Sequence, residues 1–443
     1  MRYRYREEHE MKDSGVEWLG KIPKDWEIKR NRHIFDFRRR EVNEYEDTTV
    51  LSLTTSGVKI KEDLSFGKST ESYIGHQLVY PGDIVFTPRD FDQTPILSGV
   101  SKYYGCISNL YFVLKCKSNI SNYFVDYFWW GLKYKVDFFK NFSYGIRYGY
   151  NYDQFKDLLF LNPSYIEQEK IANFLDKKTS QFDLIISKKE ELIQRLEEAK
   201  KSLISEVVTG KVKVVKSDDG YELVKRSSEE MKDSGVEWLG EIPKDWEVLK
   251  AARLANIVRG GSPRPAGDPR YFGGNEVPWI TVGEVTKDEN KYLNSVSSYL
   301  TLLGKEQSRF LEKGTLVMSN SGATLGVPKI LNISGCINDG SLAFLNVKIN
   351  KSYFYYLLKS RTEIFRKEMQ ISGQPNLNTD VVKSLYVLKP LESEQYIIAK
   401  YLDTKTVEIN KLIDKSKKQI EKIKEAKQSL ISEAVIGKIE ILD

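Results

Sequence analysis

Between residues 182 and 203 the apolar residues fall on alternating three- and four-residue steps: Phe182, Ile185, Leu192, Leu196, Ala199 and Leu203, with Lys189 as the polar member. The positions between them are mostly Lys and Glu. That spacing predicts an amphipathic helix with a coiled-coil seam. Running from about Gln168 to Val208, it would be roughly 60 Å long at 1.5 Å per residue. Ile409, Leu412, Ile423, Ala426 and Leu430 repeat the pattern, weakened in the middle by Ser416 and Gln419. Each helix runs out at a glycine, Gly210 and Gly437, suited to a left-handed cap. Such helices bury their seams against each other or against a partner. Elsewhere the pattern changes to short apolar runs broken by Gly, Pro, Asn and Ser, such as VLSL (50–53), DIVF (83–86) and NLYFVL (109–114), which read as strands and turns. One helical stretch follows each set of runs, at about 122–140 and 351–371.

The pattern is duplicated. MKDSGVEWLGKIPKDWEI (11–28) returns as MKDSGVEWLGEIPKDWEV (231–248), differing only at Lys21/Glu241 and Ile28/Val248. KKSLISEVVTGK (200–211) matches KQSLISEAVIGK (427–438), and Phe174-Leu175-Asp176 matches Tyr401-Leu402-Asp403. Between these repeats, residues 29–160 and 249–388 align only in outline, so the frames have been kept while their contents diverged. The predicted class is α+β: two pseudo-repeated α+β domains separated by two long antiparallel coiled-coil helices. The boundaries are 1–166 and 231–391 for the domains, 167–210 and 392–443 for the helices, and a polar linker at 211–230. Antiparallel pairing is the simplest closed arrangement, because the second domain is built before the second helix; it would leave the domains at opposite ends of the rod.

A formal charge of +6 over 443 residues is a mild basic excess. The two helical segments are nearly neutral, so the excess belongs to the domains and points toward a polyanion there. The three cysteines form no CxxC pair, and the three histidines lie apart from them and from one another, which argues against a zinc site or disulfides. No window approaches 18 uninterrupted apolar residues, and MRYRYREEHE lacks the apolar stretch of a secretion signal, so a cytoplasmic location without membrane contact is expected.

The chain resembles the specificity subunits of type I restriction-modification systems, over nearly its whole length. The residues that carry the resemblance are WLGxIPxxW in both halves, the helix starts Pro163 to Gln168 and Pro390 to Gln395, and the KxSLISExVxGK helix ends. In the second half PRYFGGNEVPWITVGEV (269–285), SNSGATLG (319–326) and SGQPNLNTD (372–380) also look like family patterns. GIRYGYNYDQF (145–155) matches the last of these loosely. The resemblance implies two target-recognition domains, each reading half of a bipartite, asymmetric site on double-stranded DNA, with the helices setting the unread gap. It also implies that two methyltransferase (modification) subunits dock on the repeated segments, bind S-adenosylmethionine and methylate adenine. Restriction and motor subunits would add cleavage using ATP and Mg. The chain itself would hold no cofactor, metal or catalytic residue. A related bipartite restriction system, with a partner that fuses methyltransferase and nuclease, is the alternative.

The rival enzymatic reading rests on NPSY (162–165), since adenine methyltransferases use an Asn-Pro-Pro-aromatic loop around a flipped base. Its second proline is missing and the duplicate at 389–392 is KPLE, so a strand end followed by a helix start explains both copies. A stand-alone adenine methyltransferase is therefore the weakest alternative. Asp83 and Asp90, beside Gly and Pro, read as turn carboxylates. The Trp pairs, Trp18 with Trp26 and Trp238 with Trp246, read as anchors pinning each repeated segment to its own domain. DNA reading requires Arg or Lys on phosphates and Arg, Asn, Gln, Thr or Glu at base edges. The candidates are Arg38, Arg39, Arg40, Thr54, Thr55, Arg89, Arg147 and Tyr148 in the first domain. In the second they are Arg259, Arg264, Arg270, Thr281, Glu284, Asn320, Thr324, Asn338 and Gln374.

Overall fold

The computed structural model describes residues 2–37, 41–62, 72–91, 95–143, 145, 148–218, 220–237, 239–322, 324–371 and 376–442. Residues 1–191 with 416–443 form one compact unit, and residues 192–415 form a second.

The two units share a strand ladder despite their divergent sequences. In the first, Phe35–Asp36, Phe112–Cys116, Ile84–Phe86 and Ser98–Val100 lie side by side, all antiparallel. In the second, Asn256–Arg259, Ser341–Leu345, Leu316–Ser319 and Pro328–Leu331 follow the same order, and Tyr292–Leu293 is added in parallel at the edge. Behind each ladder lies the expected helix, Asn122–Val136 or Lys351–Ile371. A short helix comes next, Tyr152–Asp157 or Thr379–Ser384, capped by Asn151 or Asn378, whose side chain accepts from backbone N–H groups of the first turn. Strands Leu159–Asn162 and Tyr386–Lys389 then pair with Glu27–Arg30 and Glu247–Lys250 of the repeated segments.

The long helices span Tyr165–Val208 and Glu392–Val435, 44 residues each. Within each unit they run antiparallel: Lys427 meets Asp183 at 2.6 Å and Lys189 donates to Gln419 at 2.7 Å in the first, and Lys200 donates to Asn410 at 3.0 Å in the second. The seam is not the one expected throughout. Phe182, Lys189, Leu196 and Leu203 face inward, but Ile186, Ile193 and Lys200 take the remaining places, leaving Ile185 and Leu192 exposed by 44% and 45% and Ala199 outside. On the second helix Ile409, Ile423 and Leu430 face inward as expected. Ile413 and Ile420 are buried, Ser416 is buried with them, and Leu412 and Ala426 lie outside. The physical reason is the apolar doublets Ile185-Ile186, Leu192-Ile193 and Leu412-Ile413, which satisfy two heptad registers equally well. The ends decide between them. Ile204, Val207 and Val208 are sunk in the second unit's core, and Ile431, Ala434 and Val435 in the first's, and counting back from these fixes the register.

Those ends are the most constrained places in the chain. Gly437 ends the second helix with φ +78°, and a Cβ there would stand 2.4 Å from Pro23 and 3.1 Å from the Trp26 ring. Gly210 ends the first helix with φ +77°, 2.5 Å from Pro243 and 3.2 Å from Trp246 by the same construction. Each repeated segment thus receives the helix end contributed by the other half of the sequence. Trp26 and Trp246 are buried anchors, as expected; Trp18 is partly buried against Phe138 at 4.5 Å, and Trp238 lies outside the described residues. The Trp26 indole donates to Glu167 at 3.0 Å and Trp246 to Glu394 at 2.8 Å. Arg6 pairs with Glu167 at 2.6 Å, and Arg226 pairs with Glu394. Burial pushes the Glu167 carboxyl up, and Arg6 and Trp26 oppose that shift.

Residues read as a polar linker instead form a hairpin, Val212–Ser217 with Gly220–Lys225. Its Val214 is buried, because the strand lies on the same core as Val207 and Trp246. Its register, Val212 opposite Lys225, is the one that Ile439 and Tyr5 adopt where Ile439–Leu442 pairs with Arg2–Tyr5. The duplication therefore closes on itself.

A second pair of polar nodes holds each long helix to its domain. Tyr127 donates to Asp176 at 2.7 Å and lies 3.1 Å from Thr179; Tyr356 donates to Asp403 at 2.6 Å and lies 3.1 Å from Thr406. Beside the first node, burial pushes the Asp126 carboxyl up to about 6, opposed by a hydrogen bond from Ser98 and reinforced by Asp176.

Two outcomes are expected. Gly210→Ala or Gly437→Ala combines a left-handed backbone with a clash against proline and costs roughly 2–4 kcal/mol. Urea unfolding followed for each unit checks this: an unchanged midpoint in the unit that holds the substituted glycine contradicts it. Asp126 titrates higher in the folded chain than in the unfolded one, so stability rises as pH falls from about 6 toward the ordinary aspartate range. Asp126→Asn should therefore stabilise the first unit by about 1–2 kcal/mol at pH 7.5 and lose that advantage by about pH 4. An advantage that grew on acidification would have the wrong sign.

Candidate nucleic-acid interface

The loop that follows the central strand of each ladder is built the same way in both units. In the first unit Tyr150 N–H donates to the Pro88 carbonyl at 2.8 Å; in the second, Leu377 N–H donates to the Asn320 carbonyl at 2.7 Å. Two residues beyond each carbonyl the chain turns through a left-handed conformation, at Asp90 (φ 61°) and Gly322 (φ 74°). Asp90 is thus a turn residue, one of the few non-glycine types that tolerate this conformation. Asp83 is also a turn carboxylate, accepting from Tyr80 N–H at 2.9 Å, but it is buried rather than solvated as expected, and burial pushes its carboxyl up.

On this common frame the side chains differ. In the first unit Arg89 is exposed, and Gly149 allows it close approach: a Cβ at 149 would lie 3.2 Å from the Arg89 Cβ. Tyr148, with φ 43° and 39% exposed, precedes that glycine, so Arg89 and Tyr148 share one edge. Thr54 closes the turn of hairpin 51–60, donating to Gly57 O at 2.9 Å and accepting from Ser56 N, while Thr55 is exposed at the tip. Arg38, Arg39, Arg40 and Arg147 lie outside the described residues, as does Gln374 in the second unit.

In the second unit three candidates, Arg259, Arg264 and Asn320, converge on Asp339, in the turn Asn338-Asp339-Gly340 that also holds the candidate Asn338. Arg259 Nε donates to the Asp339 carbonyl at 2.7 Å, and Asn320 Nδ2 reaches the same oxygen at 3.4 Å. Arg264 meets the Asp339 carboxylate at 3.2 Å, and Ser262 Oγ donates to it at 2.7 Å. Asn338 accepts from Ser341 Oγ at 3.4 Å. Glycine makes the crossing possible: a Cβ at Gly260 would stand 2.1 Å from the Asn338 carbonyl oxygen. The 319–326 and 372–380 motifs meet at the same place through the Ser321–Asn376 bridge.

The other candidates lie elsewhere. Arg270 is held by Asp268, with nitrogen to oxygen distances of 2.7 and 3.1 Å, which keeps that carboxyl below its ordinary range. Thr281 caps the helix Val282–Thr286. Glu284 is buried and accepts from Ser297 N–H at 2.9 Å and from Ser297 Oγ; the Ser297 hydroxyl bond holds its carboxyl low. Thr324 is exposed, and its carbonyl accepts from Ser319 Oγ at 2.7 Å. Asp339 was missed by sequence reasoning, although Asn-Asp-Gly between two apolar runs is a turn signature.

NPSY forms a strand end and a helix start. Gln168 Nε2 donates to Pro163 O at 2.9 Å, as Gln395 Nε2 donates to Pro390 O at 2.8 Å in the KPLE copy. Among the described residues no helix is long and apolar enough to cross a membrane, and no cluster of His, Cys, Asp and Glu is suited to a metal ion.

Comparison with known proteins agrees with this architecture. Residues 243–422 match the type I restriction modification DNA specificity domain. The type I restriction enzyme MjaVIII specificity subunit of Methanocaldococcus jannaschii is 25% identical, over 99% of this chain and 97% of that one. The MjaIX specificity subunit of the same organism is 30% identical over 41% of this chain and 42% of its own. Among solved structures, a chain from work on complex assembly and conformational transition of the type I R-M system has a TM-score of 0.67 at 15% identity, covering 94% of this chain and 98% of that one. The HsdS subunit from Thermoanaerobacter tengcongensis gives 0.50 at the same identity and coverage. The structural likenesses bear on the fold alone. Residues 243–422 thus match a type I restriction modification DNA specificity domain, and nearly the whole chain is similar to type I specificity subunits.

Proposed function

We propose that the chain reads a bipartite, asymmetric site on double-stranded DNA, one half with each recognition domain, and carries out no chemistry itself. The observation that supports this most is the shared loop frame with exchanged side chains: Arg89 and Tyr148 in one unit, Arg259, Arg264 and Asn320 around Asp339 in the other. Keeping the backbone while changing the donors at one edge is how a module changes the bases it reads. Two modification subunits, docked on the repeated segments, would supply adenine methylation with S-adenosylmethionine. Restriction and motor subunits would supply cleavage with ATP and Mg, in the cytoplasm. A fused methyltransferase-nuclease partner is separated from this arrangement by what co-purifies with the chain.

Exchanging residues 249–388 for those of a relative should change one half of the sequence protected by the complex and leave the other half as it was. A change in both halves, or in neither, contradicts modular reading. The purified chain with duplex DNA and S-adenosylmethionine should transfer no methyl group; robust transfer would return NPSY to consideration as a catalytic loop.

A further inference from the structure

We infer that Asp339 is a positioning residue for sequence discrimination by the second recognition domain, holding Arg264 and the 259–264 segment in one geometry against the pull of the DNA phosphates. This deepens the DNA-reading proposal and rests on it.

A carboxylate at an edge meant to meet a polyanion is unfavourable by itself, since it repels phosphates and weakens every sequence equally. Asp339 is half-exposed, its side chain 40% accessible, so the fold does not hide it. Instead, each acceptor on it is spent on the segment that carries two arginines: the backbone oxygen on Arg259 Nε, one carboxylate oxygen on Ser262 and the other on Arg264. A guanidinium paired with a carboxylate is fixed in direction. It is thereby kept from collapsing onto whichever phosphate is nearest, which is the sequence-independent mode of binding.

The comparison between the halves points the same way. Gly105-Cys106-Ile107 and Gly335-Cys336-Ile337 are an identical tripeptide, each a short strand, and each is followed by the turn in question. In the first half the residue two beyond the tripeptide is Asn109, whose side chain donates to the Gly75 carbonyl at 2.9 Å. In the second half the same place holds Asp339, which faces arginines. The charge therefore arises where the two readers diverge, not in the frame that they share.

The test compares Asp339→Asn with the unaltered chain, in the complex isolated with its partner subunits. Duplexes are first selected from a random-sequence pool, and affinities for selected and scrambled duplexes are then measured from 50 to 200 mM salt. Asp339→Asn should bind scrambled DNA more tightly, with the salt slope steeper by about one, while the ratio of selected to scrambled affinity falls by about tenfold or more. Arg264→Ala should lower both affinities and flatten the slope. A merely structural role for Asp339 predicts loss of both affinities together. That outcome, or an unchanged ratio, overturns the inference while leaving DNA reading intact. An unaltered complex that selects no sequence overturns the DNA-reading proposal, and this inference with it.

Discussion

The whole arrangement depends on how each long helix ends. A glycine in the left-handed region lets the last turn sit directly on a proline and a tryptophan, and a methyl group is too large for the gap at either place. Beside each contact, an arginine, a glutamate from the first turn of the other long helix and the tryptophan indole satisfy one another in a half-dry site. A buried charge of this kind is expensive to leave unpaired, on the order of 3–5 kcal/mol when one partner is lost. Both nodes are present in full, one in each unit. In each, the buried tryptophan of the repeated segment is held by residues that come from elsewhere in the sequence.

A frame so constrained frees what it carries. The strand ladder keeps its order in both units, and the same backbone hydrogen bond closes the loop at Pro88 and at Asn320. Between those fixed points the chain tolerates Arg89 in one copy and Ser321 in the other, or Asn109 in one and Asp339 in the other. With the helix ends and the ladder held in common, the candidate edge can vary at little cost to folding. That separation suits the proposed reading of two different half-sites.

Much of this was legible in the sequence because duplication is independent of folding detail. The repeated segments, the glycine ends, the helices at 122–140 and 351–371 and the turn role of Asp90 all followed from pattern and spacing. The seam was only half legible: Ile185-Ile186, Leu192-Ile193 and Leu412-Ile413 offer two registers, and the choice is made by cores at the helix ends that no local window contains. The hairpin at 212–225 was hidden because only one of its described residues, Val214, is fully buried, so the segment reads as polar. Of the candidates chosen by residue type, Arg259, Arg264 and Asn320 gather at Asp339, whereas Glu284 and Arg270 bond Ser297 and Asp268. Hydrogen-bond partners distant in sequence leave no trace in composition, which is also why Asp339 escaped notice.

The duplication is closed, the pairing of Arg2–Tyr5 with Ile439–Leu442 being the counterpart of the hairpin at 212–225. The direct measurement is a circular permutant, with the two ends joined by a short linker and the chain opened in the turn between Ser217 and Gly220. A closed frame predicts a permutant that unfolds within about 1 kcal/mol of the original and, in complex, selects the same DNA sequence. A permutant that fails to fold, or that folds and selects a different sequence, contradicts it.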